Sequence, residues 1–312
     1  MILCLGTTPA TQRVMVFRRL ALNAVNRALA VADGPAGKSV NVAKVLKALG
    51  ERPLAVGFAG GPRGQSLREM LDARSIETDF VTVAAHTRQC VTILDQEGGA
   101  QTELIEEGPP VSPADCERLR ALLRSRIKAS RAVVMSGSLA AGAPADLYLE
   151  AARLALEAGV LCLLDAQGAP LALALAARPG LVKPNRAELA ATVGRLLEDE
   201  TQVMAGMREL CRRGAQRVVV TAGREAALAF DGQSFWRIHP PPVRVVNPIG
   251  CGDAFAAALV WRMLRGDDLE EACRWAAAAG AANATTLMPG EVERAEVERL
   301  APAVSLERLH PA

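Results

Sequence analysis

The segment "NPIGCGDAF" places two glycines around a cysteine and follows them directly with an acid. Glycines allow a turn whose backbone N–H groups point into one concavity, and the helix that follows adds its positive dipole end. Gly250, Cys251 and Gly252 could therefore bind an anion. Asp253 at the rim could accept a proton from a hydroxyl that attacks a phosphate. An acid in a first helical turn also stabilises the helix by itself, so both roles stay open.

Single residues exclude two familiar nucleotide motifs. A GxGxxG pattern would need a small residue where Phe255 stands, and the P-loop-like "GPAGKS" has Ala32 where its first glycine would fall. We instead expect Gly37, Lys38 and Asn41 to begin a helix that faces a substrate. Lys38 would supply positive charge and Asn41 would hydrogen-bond hydroxyls, although an ordinary solvated lysine and a first-turn asparagine remain equally open.

The segment "LVKPNRAEL" contains an N-x-x-E spacing after a Lys-Pro bend at Lys183. This spacing brings Asn185 and Glu188 to the start of one helix, where they could form a capping box. An amide and a carboxylate placed in this way also suit a magnesium ion that is reached through water. Both roles can hold together.

Polar residues follow several predicted strands. Ser138 ends "VVMSGS", Asp165 ends "LLD", and Thr221 and Gly223 end "VVVTAG". Ligands of parallel sheets bind beyond the carboxyl ends of the strands, so these residues are candidates for a shared cleft. Thr221 and Gly223 are candidates for the nucleotide side, and a routine turn is the alternative for each position.

The back half of the chain is rich in alanine. Around Gly280 and Asn283 its small residues could border a flat group such as an adenine ring, although close helix packing explains the same composition.

Apolar runs of strand length alternate with helical segments, which predicts an α/β fold with a mainly parallel sheet and helices on both faces. Two segments, about 10–36 and 87–107, alternate apolar with polar residues instead. We expect them to form one small antiparallel sheet that projects as a lid from a single domain spanning residues 1–312. The apolar face of such a lid makes a homodimer plausible.

Composition excludes several classes of function. Lys plus Arg number 36 against 34 Asp plus Glu, and aromatic residues make up 3% of the 312 residues. A nucleic-acid or membrane-surface partner is therefore not expected. The chain has no predicted leader or membrane span, and its seven scattered cysteines predict reduced thiols, so we expect a cytoplasmic protein.

In chain order, the segments "AGKSVNVAKVLKALG", "GFAGGPRGQ", "SGSLAAGAP", "LVKPNRAEL" and "VVNPIGCGDAF" resemble the PfkB (ribokinase-like) carbohydrate kinases. The similarity is greatest to the branch with 1-phosphofructokinase and tagatose-6-phosphate kinase. It implies a ribokinase-like three-layer α/β/α sandwich with a small antiparallel β lid, often used in dimerisation. It also implies ATP and Mg²⁺ as cofactors.

The resemblance assigns roles to individual residues. It implies an anion hole at Gly250, Cys251 and Gly252 and a catalytic base at Asp253. On the nucleotide side it implies Lys183, with Asn185 and Glu188 linked to magnesium and the ATP phosphates. On the sugar side it implies Gly37, Lys38, Asn41 and Ser138, and an Arg88 that meets a substrate phosphate next to Thr87.

The chain departs from the family pattern at Thr8 and Gln12, which stand where the family has Asn and a sugar-binding Asp. An amide favours a different arrangement of hydroxyls from a carboxylate, so the sugar bound near Gln12 stays open. We expect an ATP-dependent kinase of a small sugar phosphate of the fructose-1-phosphate, tagatose-6-phosphate or fructose-6-phosphate type. The alternatives are a kinase of an unphosphorylated sugar or nucleoside and a non-catalytic sugar-phosphate-binding protein.

Overall fold

Strands and helices alternate along most of the chain, and a computed structural model describes residues 1–309. The strands are β1 (Ile2–Leu5), β2 (Ala10–Phe17), β3 (Ala30–Ala36), β4 (Pro53–Ala59), β5 (Glu77–Thr82), β6 (Arg88–Asp95), β7 (Ala100–Ile105), β8 (Ala132–Ser136), β9 (Leu161–Asp165), β10 (Leu181–Val182), β11 (Val218–Val220), β12 (Ala227–Phe230), β13 (Phe235–His239) and β14 (Ser305–Leu309). The helices are α1 (Lys38–Ala48), α2 (Gly61–Asp72), α3 (Pro113–Arg126), α4 (Leu147–Glu157), α5 (Gly168–Ala174), α6 (Arg186–Val193), α7 (Glu200–Arg212), α8 (Cys251–Met263), α9 (Leu269–Ala284) and α10 (Arg294–Leu300). Single turns of 3-10 helix lie at Ile127–Ala129, Leu175–Ala177 and Ala301–Ala303.

The main sheet has ten strands in the order β14-β13-β12-β11-β10-β9-β8-β1-β4-β5. The strands from β5 to β11 run parallel, and β12, β13 and β14 continue the sheet in antiparallel fashion. Every residue of β1, β4 and β8 is buried, because helices cover both faces of the sheet. The prediction of a mainly parallel sheet is confirmed.

Strand β1 shows how the three layers pack. Ile2 and Cys4 belong to a core cluster with residues of α1, α8 and α9. Leu3 and Leu5 point to the opposite face, into a second cluster with residues of α3, α4 and α7. Successive side chains of a strand alternate between faces, so one buried strand serves both halves of the core.

The lid is a four-stranded sheet in the order β3-β2-β6-β7. The hairpins β2–β3 and β6–β7 are antiparallel, as expected, but β2 and β6 pair in parallel. This correction has a simple cause. Strands β2 and β6 follow β1 and β5, which run in the same direction in the main sheet. Both hairpins therefore leave the main sheet in the same direction, and their first strands pair in parallel.

Among the helices of residues 1–309, none combines the length and apolar character that crossing a lipid bilayer requires. All seven cysteines are free, and five of them are buried. Their pattern agrees with the prediction of reduced thiols.

A buried carboxylate joins distant parts of the core. Glu51, between α1 and β4, is 9% exposed. Its oxygens lie 3.0 Å from Nη1 of Arg131, just before β8, and 2.6 Å from Nη1 of Arg265, just after α8. Such charge-assisted hydrogen bonds stabilise a fold more than exposed ion pairs do.

We expect Glu51→Ala to lower the free energy of unfolding by about 2 kcal/mol, because two hydrogen bonds to charged groups are lost. The matched control is Glu77→Ala, which removes an exposed pair with Arg52 and should cost about 0.5 kcal/mol or less. Urea denaturation monitored by circular dichroism gives both values. Equal losses for the two variants would contradict a special role for Glu51.

Candidate active site

The start of α8 forms an open turn of backbone amides. Gly250 has φ 84°, and a Cβ there would lie 2.7 Å from the backbone nitrogen of Gly290, so the position requires glycine. The Cys251 N–H donates weakly to the Pro248 carbonyl at 3.3 Å. The N–H groups of Gly252 and Asp253 donate to no acceptor within residues 1–309. These two amides and the helix dipole can therefore hold an anion.

Asp253 lies beside these amides and is 6% exposed. Its Oδ2 accepts a hydrogen bond of 2.8 Å from Nδ2 of Asn41 in α1. Burial raises the pKa of Asp253 to about 6, with Asp165 acting in the same direction and with Lys38, Asn41 and Lys183 opposing the rise. The carboxyl group is thus a stronger base than an exposed aspartate, and it is still mainly ionised at neutral pH.

Two lysines and two carboxylates surround the base. Lys183 Nζ lies 3.2 Å from Asp165 Oδ2, and both side chains are buried. Lys38 Nζ lies 3.6 Å from Asp165 Oδ1 and 3.1 Å from Glu188 Oε1. Burial alone would lower the pKa of Lys38, but the carboxylates of Asp165, Asp253 and Glu188 raise it above its ordinary value. Lys38 therefore presents positive charge beside the turn, and Lys183 Nζ lies 3.7 Å from where a Cβ of Gly252 would stand.

Asp165 holds both lysines, a role that the sequence did not reveal. It is the last residue of β9, at the carboxyl edge of the sheet, and its position at the end of "LLD" was the only available signal. Its Oδ1 is buried and makes no hydrogen bond within the described chain.

Asn185 and Glu188 form the capping box of α6. The Asn185 side chain accepts from the Glu188 N–H at 2.8 Å, and Glu188 Oε2 accepts from the Asn185 N–H at 2.8 Å. The predicted capping box is therefore present. The other carboxylate oxygen of Glu188, Oε1, accepts a hydrogen bond from Lys38. Within residues 1–309 no cluster of three His, Cys, Asp or Glu side chains could hold a metal ion. The residues fit a magnesium ion bound mainly by water and phosphate oxygens, not one enclosed by the protein.

Arg88 begins lid strand β6 and lines a pocket together with Thr8, Pro9 and Leu139. Its Nε is buried and has no hydrogen-bond partner within the described residues. An unpaired guanidinium nitrogen in a pocket is suited to an anionic ligand group.

The neighbouring Thr87 is buried, and its hydroxyl oxygen accepts from the Gly60 N–H at 3.1 Å, which fixes the start of β6.

The loop after β8 closes the substrate side of the pocket. The Ser138 carbonyl accepts from the hydroxyls of Thr7 and Thr8 at 3.2 and 3.4 Å, and its own side chain is exposed. Gly37 has φ 102°, and a Cβ there would lie 2.8 Å from Cα of Pro9, so α1 begins directly against this loop region. Gly37 and Ser138 therefore both lie at this end of the cleft.

Gln12 lies inside the lid sheet and is 4% exposed. Its Nε2 donates to the hydroxyl of Thr92 in β6 at 2.7 Å, and Thr92 is fully buried. One of the two N–H donors of the amide is thus used within the protein, which leaves the carbonyl oxygen and the second N–H as the groups with which Gln12 can meet a sugar hydroxyl.

Thr221 lies next to Asn185 at the start of α6. It forms a parallel bridge with Asn185, in which the Thr221 N–H donates to the Pro184 carbonyl at 3.2 Å. Gly223 has φ 65° and open space where a Cβ would stand. Both residues lie at the carboxyl end of β11, as predicted.

Gly280 and Asn283 pack inside the protein, in agreement with the close helix packing that the alanine-rich composition also indicated, and a role beside an adenine ring stays a prediction. A Cβ at Gly280 would lie 3.2 Å from the Cys251 carbonyl oxygen, so glycine permits the close contact of α8 and α9. Asn283 is fully buried, and its amide donates to the Ile249 carbonyl at 2.8 Å and accepts from the Gly290 N–H at 2.7 Å. These residues contact the Ile249–Cys251 segment and so support the turn at the start of α8.

Comparison with known proteins agrees with this geometry. Residues 1–292 match the profile of the pfkB family carbohydrate kinases. The chain is 32% identical over 295 residues, 94% of each protein, to tagatose-6-phosphate kinase of Staphylococcus epidermidis. It also matches phosphofructokinase-2 from Escherichia coli in complex with fructose-6-phosphate, with a TM-score of 0.84 and 26% identity over 96% of this chain and 97% of that one.

The tetrameric inhibited form of the Escherichia coli enzyme has a TM-score of 0.87 and 28% identity over 96% of this chain and 98% of that one. Ribokinase from Arabidopsis thaliana, complexed with ribose and ATP, shares the fold, with a TM-score of 0.75 and 21% identity over 96% of this chain and 97% of that one. The ribokinase-like sandwich is therefore confirmed, and the chain belongs to the pfkB family of carbohydrate kinases.

Proposed function

We propose that this kinase transfers the γ-phosphoryl group of ATP to a hydroxyl of a small phosphorylated sugar. The observation that carries the proposal is the buried Asp253 carboxylate next to two backbone amides without protein acceptors. A base and an anion site in contact are what an alcohol needs in order to attack a phosphoryl group.

In this mechanism the acceptor hydroxyl gives its proton to Oδ1 of Asp253, while Asn41 holds Oδ2. The hydroxyl oxygen bonds to the γ-phosphorus as the bond from phosphorus to the β-γ bridging oxygen breaks, and ADP leaves. The amides of Gly252 and Asp253 stabilise the charge on the transferring group, and Lys38 and Lys183 contribute positive charge on the same side.

We assign magnesium to the Glu188 side of the cleft, where Glu188 and Asn185 would reach it through water. When bound there, the ion would neutralise negative charge on the phosphates. The assignment is supported by Asp165 Oδ1, a buried carboxylate oxygen that makes no hydrogen bond within residues 1–309.

A phosphorylated acceptor is supported by Arg88, whose Nε is buried without a partner in the described chain. The names of the relatives agree with this substrate class, since one is a tagatose-6-phosphate kinase and another was solved with fructose-6-phosphate. With one of its two N–H donors held by Thr92, Gln12 would present a carbonyl oxygen and one N–H to the sugar where a carboxylate presents two acceptor oxygens. We therefore propose a hexose phosphate whose hydroxyls differ in arrangement from those that a carboxylate selects.

We also propose that two copies associate through the lid. Large apolar side chains are more than half exposed on its strands and on the β2–β3 connection: Leu22, Val25, Leu29, Val31, Leu104 and Ile105. A patch of this kind is typical of a protein–protein interface. One relative, phosphofructokinase-2, is itself described in a tetrameric form.

Asp253→Asn should lower kcat about 10³-fold, because an amide cannot accept the hydroxyl proton, while ATP affinity stays nearly unchanged. Coupled ADP-release kinetics with tagatose 6-phosphate and fructose 6-phosphate, together with calorimetry, measure the two effects. The control is Asp268→Asn at the start of α9, which should keep full activity. A wild-type rate in the Asp253 variant would remove the general-base role.

The rate should also depend on pH through Asp253. Since the pKa of Asp253 is raised to about 6, kcat/KM should fall as the pH decreases through about 6, where the carboxylate becomes protonated. The hydrogen bond from Asn41 lowers this pKa, so Asn41→Ala should move the acid limb upward by about one pH unit. An acid limb at the same pH in both proteins would show that another group controls it.

Arg88→Ala should raise KM for the sugar phosphate about 30-fold through the loss of charge-assisted hydrogen bonds, with little change in KM for ATP. Arg63→Ala is the control, because Arg63 lies in the same region but is paired with Glu106 at 2.6 Å. Its kinetics should stay close to those of the wild type. Equal weakening of sugar phosphate and ATP by the Arg88 change would instead indicate a structural arginine.

A further inference from the structure

A lysine that takes no part in the proposed chemistry is buried next to it. Lys44 lies two turns into α1 and is 5% exposed. Its Nζ donates to the Pro35 carbonyl at 3.2 Å and to the Pro289 carbonyl at 2.6 Å. Pro35 belongs to lid strand β3, and Pro289 belongs to the loop after α9. One ammonium group thus joins the lid to a loop of the main body.

The loop that contains Pro289 also supports the phosphate-binding turn. A Cβ at Gly250 would lie 2.7 Å from the Gly290 nitrogen and 3.0 Å from Cβ of Pro289, so the two segments are in direct contact. On its other side, a Cβ at Gly290 would lie 2.7 Å from Cα of Asn41, the residue that holds Asp253. Any displacement of Pro289 must therefore move either Gly250 or Asn41.

The lid rests on the same loop. Met288 packs with Val14, Val16 and Leu94 of the inner lid face. A Cβ at Gly34, next to Pro35, would lie 2.8 Å from Cε of Met288. The loop is thus packed between lid and turn, and Lys44 supplies its polar connection to the lid.

The charge of Lys44 is only partly compensated. Burial lowers the pKa of Lys44 to about 8, Arg74 acts in the same direction, and Glu291 and Asp253 oppose the decrease. Glu291 Oε1 is 3.9 Å away, too far for a hydrogen bond. Burying an amine in this environment costs stability unless it is hydrogen-bonded, and the contacts with Pro35 and Pro289 are the hydrogen bonds that Lys44 makes within residues 1–309.

We propose that Lys44 is a positioning residue that couples the lid to the phosphate-binding turn, by holding Pro35 of the lid and Pro289 of the supporting loop at a fixed separation. The proposal rests on the proposed function, because it takes the turn at residues 250–253 as the nucleotide phosphate site. Lid strand β3 then responds when the turn binds a nucleotide, although the two do not share a ligand contact.

Hydrogen exchange with the non-hydrolysable analogue AMP-PNP tests this coupling. In the wild-type protein AMP-PNP should slow amide exchange in residues 247–253, in residues 285–292 and in β3. In Lys44→Met the analogue should still protect residues 247–253, its affinity should fall about five-fold or more, and the protection of β3 should be lost. Lys44→Arg should restore the protection, since a guanidinium can donate to both carbonyls. Lys47→Met, on the same helix, should behave as the wild type.

Protection of β3 in Lys44→Met equal to that in the wild type would overturn the proposal, as would a wild-type protein whose β3 does not respond to AMP-PNP. The second measurement needs no variant, so the test stands even if Lys44→Met does not fold.

Failure of the proposed function can be distinguished from failure of the coupling proposal. Absence of AMP-PNP binding would overturn the nucleotide assignment itself, whereas full activity of Asp253→Asn would remove the base and leave the exchange experiment readable.

Discussion

A carboxylate buried at the start of a helix is the constraint on which this structure depends. Removing Asp253 from water is costly unless positive charge and hydrogen-bond donors surround it. The chain supplies them as Lys38 and Asn41 of α1 and as Lys183, which follows β10. These groups offset only part of the cost of burying Asp253. Its pKa therefore stays raised, and the carboxylate is basic enough to take a proton. The same desolvation that costs stability thus makes the side chain reactive.

The parallel sheet explains how these distant segments meet. Asp165 is the last residue of β9 and Lys183 follows the adjacent strand β10, so both arrive at the same edge of the sheet. Helix α1 begins near this edge and contributes Lys38 and Asn41, and the Asp165 carboxylate lies 3.6 Å from Nζ of Lys38 and 3.2 Å from Nζ of Lys183. The order of strands therefore accounts for the convergence of residues that are far apart in the chain.

Local sequence patterns predicted much of the fold and of the candidate site. The glycines around Cys251, the N-x-x-E spacing at Asn185 and the unbroken apolar strands each specify a local conformation, and their structures agree with the predictions. The membership of a kinase family also agrees, and it does not favour the non-catalytic alternative. Features that depend on long-range contacts were missed or mistaken: the parallel pairing of β2 with β6 and the hydrogen bond from Gln12 to Thr92. No local spacing specifies such contacts, because they depend on how whole elements meet.

The lid is assembled from two hairpins that are inserted between consecutive strands of the main sheet. Strand β7 at its free edge is exposed along its full length, and the β1–β4 and β4–β5 pairings of the main sheet involve no residue of the hairpins. We therefore expect the scaffold to tolerate mutations that change the length or the amino-acid sequence of these hairpins during evolution. A lineage can diverge in the metabolite that it accepts while the ancestral phosphate chemistry is inherited intact.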